Sequence, residues 1–438
     1  MGHQRNIVII GNGIAGVTCA RSIRKKSKDH LTIISSESPH FFSRTALMYV
    51  YMGHMKFEHI KPYPDDFWEK NNIKLIHNHV ALVDAKSKFV EFESGEIMRY
   101  DILVIATGSK TKKYGWPGQE LNGVRGLYNL QDLEEISKST NGISHAVIVG
   151  GGLIGVELAE MLLSRKIPIT FLIREKHFWS GVLPEAEAMM IGNHIATHGV
   201  DMQYETELRE IISDDNKKVK AIVTNNGRQL STGFVGITTG VEPNIAFLDE
   251  SEIQTDKGVL VDKHFQTTAP GVYAIGDCAQ FINPVQNRKA IEQVWYTARM
   301  HGETLAETLC GNTTSYQPGP WFNSAKFFDI EYQTYGDVSP KIKDDEIQFF
   351  WKHPEKDILI RFAWLRDSNV LKGVNTFGIR LRHEVFDKWL TEKRNIQYVI
   401  DNLSAANFDP EFFTRYEQKI KSAFYAQHDL AKIQTLQL

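Results

Sequence analysis

The chain is 438 residues long, 42% hydrophobic, and carries a formal net charge of −3 at pH 7. That length exceeds what a single core supports, so two or three domains are expected, and the near-balanced charge gives nucleic acid or an anionic membrane no electrostatic advantage as partner. No apolar run approaches the roughly 20 residues that span a bilayer, and little chain precedes the first apolar run, which predicts a cytoplasmic protein with neither a transmembrane segment nor a signal peptide.

In chain order, IVIIG (7–11) reads as a buried strand, a helix follows to about RKKSK (24–28), and LTIIS (31–35) returns as a strand, which makes a βαβ unit. Strands are expected again at IKLIH (73–77), KFVEF (88–92) and DILVIATG (101–108). A second βαβ unit opens at AVIVGG (146–151), passes through a helix to about Lys166 and returns as ITFLIR (169–174). Further strands are expected at KAIVTN (220–225), FVGITTG (234–240) and GVYAIGD (271–277), then a helix from about Ala290 to Cys310. After Thr314 the segments YQPGPWF, KFFDIEYQTYG, IQFFWKH and ILIRFAWL are aromatic and alternating, which predicts a separate antiparallel sheet, and the last fifty or so residues read as helical.

Each βαβ unit carries three glycines between strand and helix: Gly11, Gly13 and Gly16 in GNGIAG, and Gly150, Gly152 and Gly155 in GGGLIG. The first glycine of such a loop makes the tight turn, the second lets backbone approach a pyrophosphate, and the third lets helix pack on strand. The pyrophosphate then meets unpaired N–H groups at the positive end of the helix, here those of Ile14 and Ala15 or of Leu153 and Ile154. Glu37, with Ser38 beside it, follows the first returning strand, where an acid accepts both ribose hydroxyls. The second returning strand ends at Ile173, followed by Arg174 and Glu175. Arg174 in that place grips a 2′-phosphate and selects NADPH; Glu175, one position late, binds a 2′-hydroxyl and selects NADH. Arg174 is the favoured reading, with both coenzymes kept open.

Two further turns, Ala106-Thr107-Gly108 and Gly276-Asp277, each end a buried strand. Asp277 at such a reversal accepts a ribityl hydroxyl or caps a helix. The ordered set GNGIAG, ATG, GGGLIGVELAE, TTGVEPN (with Gly240) and GVYAIGDCA resembles the two-dinucleotide-binding-domain flavoproteins of the pyridine nucleotide–disulfide oxidoreductase superfamily, over roughly residues 5 to 310. The resemblance implies an α/β fold of two Rossmann-like domains with a C-terminal α+β domain. It also implies FAD on the first loop and NAD or NADP on the second, so that a hydride crosses from nicotinamide to flavin. Segments 1–112 and 238–314 are then the FAD domain, 113–237 the inserted coenzyme domain, 315–385 the C-terminal domain and 386–438 a helical extension.

Disulfide-reducing members of that superfamily place cysteine after the first ribose acid, where a thiolate faces the flavin. Here ESPHFFSRTALMYVYMGH (37–54) has none, and Cys19, Cys278 and Cys310 are odd in number and far apart, with no disulfide framework and no CxxC metal pair. Glu37, Phe42, Arg44 and Leu47 instead resemble the ferredoxin- and rubredoxin-reductase branch, as does PWFNS (320–324). That likeness implies a small electron-carrier protein as acceptor. It carries Arg44 to the FAD pyrophosphate, Glu157 to the flavin and nicotinamide, and Glu292, Gln293 and Trp295 to a helix start facing the flavin. The branch's usual Ser-Lys is replaced by Met48 and Tyr49, and Lys326 is a candidate substitute cation. Glu157 also reads as an acid complementing the first turn of its helix, and Trp295 as core. Other acceptors remain as alternatives: oxygen or a quinone, or the use of the coenzyme-bound state for partner binding in the manner of the apoptosis-inducing factors. In the tail, Phe413, Tyr416, Ile420 and Phe424 fall at helical spacing, which predicts a packed or homodimer-forming helix in preference to a membrane-surface one.

Overall fold

The computed structural model describes residues 4–285, 288–409 and 411–428. Pro410 in the tail, the ends of the first domain and of the helical extension (1–3 and 429–438), and residues 286–287 lie outside the described residues. The chain divides into two compact units, Met1–Leu172 with Glu207–Pro318, and Ile173–Thr206 with Gly319–Leu438.

The first unit is built on β1 (Asn6–Ile10), α1 (Ile14–Arg24) and β2 (His30–Ser35). Four of the five β1 residues are buried on both faces, as a central parallel strand requires. The sheet is wholly parallel in the order Val272–Ala274, Ile102–Ile105, β1, β2, Ile73–His77. The construction repeats with β3 (Ala146–Val149), α2 (Leu153–Ser164) and β4 (Ile169–Leu172). Within this unit the second sheet runs β4, β3, Phe234–Ile237, Val124–Arg125, again parallel. Strands Val80–Asp84, Phe89–Phe92 and Ile97–Arg99 form one antiparallel meander, and Leu208–Ser213, Val219–Thr224 and Gln229–Ser231 another.

The expected helix near Ala290 starts five residues later, at Trp295, and ends at Leu309. Val294 is extended (φ −137°, ψ 139°), and Glu292 is bound by Arg288 and by the Tyr316 hydroxyl at 2.8 Å. A buried side chain tied outward in this way keeps the preceding residues out of the helix.

The second unit holds a five-stranded antiparallel sheet in the order Phe322–Phe327, Ile330–Gly336, Leu371–Phe377, Leu359–Leu365, Glu346–Lys352. The expected aromatic strands are there, while most of YQPGPWF lies outside them, and Leu371–Phe377, which carries little aromatic signal, completes the sheet. Tyr416, Ile420 and Phe424 are buried in the same core as Phe349 and Trp364, so the tail stripe packs inward, while Phe413 stays exposed. The helix Glu185–Thr197 also belongs here. Its buried Glu187 accepts a bidentate pair from Arg361 on the sheet, with Nη2 to Oε2 at 2.8 Å. Among the described residues no helix is long and apolar enough to cross a membrane.

Candidate functional site

Both glycine loops fold alike for steric reasons. Gly11 sits at φ +115°, where a Cβ would lie 2.1 Å from the Ala106 carbonyl oxygen, and a Cβ on Gly16 would lie 2.1 Å from the Gly11 oxygen. At Gly13 nothing beyond its chain neighbours lies within 4 Å of the Cβ position. The second loop repeats this, with Gly150 at φ +108° and 2.7 Å from the Thr238 oxygen, Gly155 2.8 Å from the Gly150 oxygen, and Gly152 open. Neither α1 nor α2 has an acid in its first turn, so both helix N-termini keep their positive end for an anion.

A cavity of about 770 Å³ opens at the first loop, a size usual for cofactor sites. Its wall brings together Gly11, Gly13, Ile14, Ala15, Glu37, Arg44, Ala106, Thr107, Gly108, Ile154, Glu157, Gly276, Asp277, Gln293 and Trp295. Gly16 lies beneath as helix–strand packing. Ser38 is buried, and its hydroxyl donates to the His40 oxygen at 2.7 Å while its own carbonyl accepts from Asn12 at 2.8 Å, so it shapes the turn behind Glu37. Glu292 does not line the wall. Gly150, Gly152, Leu153, Gly155 and Gly240 belong to the second loop and its surroundings in the same unit. Arg174, Glu175 and Lys326 belong to the other unit, where Arg174 donates to Glu175 at 2.8 Å and Lys326 is an exposed strand residue.

Two of the charged groups of the wall hold each other, and a third is held by neutral donors. Arg44 makes a fork on Glu37, with Nη2 to Oε2 at 2.6 Å and Nη1 to Oε1 at 2.8 Å, and its guanidinium lies 4.7 Å from the Tyr128 ring centre. Burial opposes that charge, but the bonds and charge of Glu37 more than offset it and hold Arg44 above its ordinary range. Glu37 Oε1 also accepts from the Leu130 N–H at 2.9 Å. Asp277 is half-buried, and loss of solvation there pushes its carboxyl upward against the bonds from Ser109 (3.2 Å) and Tyr128 (3.3 Å). Gln293 donates to Ser109 at 2.8 Å. Burial first, and Asp277 second, raise the Tyr128 hydroxyl, so it stays a donor.

Ser109 and Tyr128, which hold Asp277, are among the wall residues that sequence reasoning missed. Ser109 directly follows the ATG turn. Tyr128 stands just before a capping box, in which Asn129 accepts from the Asp132 N–H at 2.7 Å and Asp132 accepts from the Asn129 N–H at 3.3 Å, and Asp132 also accepts from the Tyr128 N–H at 3.0 Å; the N-x-x-D spacing was the available signal. Glu157 needs a correction. Its helix begins at Leu153, so Glu157 lies beyond the first turn and does not complement the helix end. It faces the cavity instead, where burial, with the neighbouring charge of Glu160, pushes its carboxyl up to about 7.

These residues fit a flavin dinucleotide. Gly13 leaves backbone open where a pyrophosphate must approach, α1 offers uncompensated N–H groups, and Asp277 offers a half-buried acceptor fixed by Ser109 and Tyr128. Phe42, Arg44, Thr45, Leu47 and Met48 of the cysteine-free segment line the same wall, and none of the three cysteines does. Burial pushes the Cys278 thiol up to about 11 and raises Cys19 as well.

Fold and site together define a chain with two dinucleotide-binding loops. Residues 5–302 match the family described as pyridine nucleotide-disulphide oxidoreductase, and the chain belongs to that family, which implies FAD and a nicotinamide coenzyme. Over 379 residues it is 26% identical to the nitrite reductase [NAD(P)H] of Bacillus subtilis, a match covering 86% of this chain and 46% of that protein, so the chain spans less than half the length of this relative. Over 319 residues it is 26% identical to the rubredoxin-NAD(+) reductase of Ectopseudomonas oleovorans, covering 72% of this chain and 83% of that one. In fold it is similar to a NAD-dependent persulfide reductase from A. fulgidus, with a TM-score of 0.85 at 22% identity over 98% of this chain and 84% of that chain.

Proposed function

We propose that the protein is an FAD-dependent NAD(P)H oxidoreductase whose acceptor is a small ferredoxin- or rubredoxin-type carrier protein. The observation that carries this reading is a dinucleotide-sized cavity, walled by the segment after Glu37, into which no cysteine projects. The likeness to a rubredoxin-NAD(+) reductase over most of both chains supports the choice of acceptor. Bound FAD supplies two-electron uptake from the nicotinamide and release of electrons to the carrier.

The protein's own groups bind and orient. Gly13 and the α1 N–H groups receive the pyrophosphate, Glu37 the adenosine ribose, and Asp277, steadied by Ser109 and Tyr128, a hydroxyl of the ribityl chain. Glu157 holds a proton at the cavity wall up to about pH 7. Segments 1–112 and 238–314 serve FAD and 113–237 the coenzyme, with Arg174 selecting NADPH. In the test, protein reduced by NADPH under anaerobic conditions is mixed in turn with a rubredoxin, a ferredoxin, oxygen and a quinone. Fastest flavin reoxidation by a carrier protein supports the proposal. Faster reoxidation by oxygen or quinone would overturn the choice of acceptor.

A further inference from the structure

In the second unit, His194 and His198 stand one helical turn apart at the end of the helix Glu185–Thr197 and share a face. Asp329 lies in the tight turn between strands Phe322–Phe327 and Ile330–Gly336. Its Oδ1 is 2.6 Å from His194 Nε2 and 3.6 Å from His198 Nε2. One ligand atom from each of the three residues lies within 4.8 Å of the other two.

The hydrogen positions decide what the cluster is for. His198 Nδ1 is 3.0 Å from the His194 carbonyl oxygen. A carbonyl only accepts, so Nδ1 carries a hydrogen, and in the neutral ring Nε2 keeps its lone pair. Nε2 stands 3.6 Å from Asp329 Oδ1, itself an acceptor, so two acceptors face each other and a metal ion or a proton is needed to join them. His194 Nε2 donates to the same Asp329 Oδ1 at 2.6 Å, a hydrogen that a metal ion would replace, while its Nδ1 lies 3.6 Å from Asp357 Oδ2, too far for a direct hydrogen bond. Both rings therefore turn Nε2 to the shared carboxylate, and the Nδ1 of His198 is backed by a carbonyl oxygen, as outer partners orient metal-ligating histidines. The rings are also fixed in advance. Phe328 stacks on His198 at 4.3 Å between ring centres, and its own φ of +56° is a strained conformation held at the turn. The His194 side chain is only 11% exposed.

We propose that His194, His198 and Asp329 form a site for a divalent transition-metal ion of the zinc class, with water completing its coordination. Two imidazoles and one carboxylate suit zinc, cobalt or nickel, whereas calcium and magnesium take oxygen ligands throughout. The bound ion ties the end of the helix to the hairpin turn and so stabilises this unit. Nothing in this depends on the redox reading.

Full-length flavoprotein, stripped with EDTA and dialysed, is titrated with zinc chloride against a chromophoric chelator, and its Tm is followed. Expected are about one zinc per chain and a rise in Tm. His198→Gln and Asp329→Asn should each weaken binding by about tenfold or more with flavin content unchanged, and Asp357→Asn by less, since it only orients a ligand. His59→Gln, far from the cluster in sequence and on the other unit, should bind as the parent does. Should a ligand variant lose its fold, as circular dichroism would report, Asp357→Asn against the parent still gives the comparison. The proposal is overturned by absence of stoichiometric zinc, by binding that the variants leave unchanged, or by a Tm that follows pH alone, which would assign the cluster to imidazolium–carboxylate pairing.

Discussion

At Gly11 and Gly150 the backbone takes φ +115° and +108°, and in both loops the middle glycine opens onto free space. Around the first loop, segments remote in sequence converge: Glu37 and Arg44 from after β2, Ser109 and Tyr128 from beyond the ATG turn, and Asp277 with Gln293 from a further 150 residues or so along the chain. The second loop's helix contributes only Ile154 and Glu157 to that cavity, and the strand after it leads to an arginine and a glutamate paired with each other. The glycines thus encode the turn, while the ligand is chosen by groups delivered from elsewhere. On the proposed function, the repeated motif is two copies of one mechanical part serving two cofactors.

The largest expected effect tests the shared mechanics. Gly11→Ala places a Cβ 2.1 Å from a backbone oxygen at a left-handed φ, which should cost about 2–6 kcal/mol and appear as lost flavin and a lower denaturation midpoint. A variant with full FAD content and unchanged stability would remove the steric account of the loop.

Coenzyme selection sharpens the difference between the loops. Arg174→Ala should lose about 1.5–3 kcal/mol of binding for NADPH and little for NADH, as for a charged hydrogen bond. Equal losses, or a parent enzyme that prefers NADH, would make Glu175 the selector.

The two open glycines separate the cofactors directly. Neither Gly13→Ala nor Gly152→Ala meets a protein atom, so both should fold. Gly13→Ala should weaken FAD, and Gly152→Ala should raise KM for the coenzyme at full flavin content, each by about 1–3 kcal/mol. Flavin loss in both would mean that the loops are not independent sites.

The smallest effect concerns Glu157. Its carboxyl ionises near 4.5 when unfolded and near about 7 when folded. Between those values the native chain holds the extra proton, so stability falls as pH rises through that window. Glu157→Gln removes the fall, and relative to the parent the variant should gain about 1–3 kcal/mol between pH 4.5 and 8 in urea titrations. Parallel curves for parent and variant would show that Glu157 is solvated and no proton holder.

Buried parallel strands were legible because both faces are apolar: DILVIATG and AVIVGG contain Ile102–Ile105 and Ala146–Val149, every residue of which is buried. The glycine loops were legible because each glycine has its own steric reason. Less was readable where side chains from distant segments decide the outcome. The Trp295 start of its helix depends on Glu292 being held by Arg288 and Tyr316. Ser109 and Tyr128 matter only because the fold sets them on Asp277. Arg44 and Glu37, each expected from the sequence to meet the dinucleotide by itself, bind each other.

The central claim is that electrons pass through a lone flavin with no thiol partner, and anaerobic titration of the purified yellow protein with NAD(P)H tests it most directly. With about one FAD per chain, bleaching should be complete at about one coenzyme per chain, the capacity of a flavin alone. An endpoint at about two coenzymes per chain would show that a cysteine shares the electrons and would contradict the account.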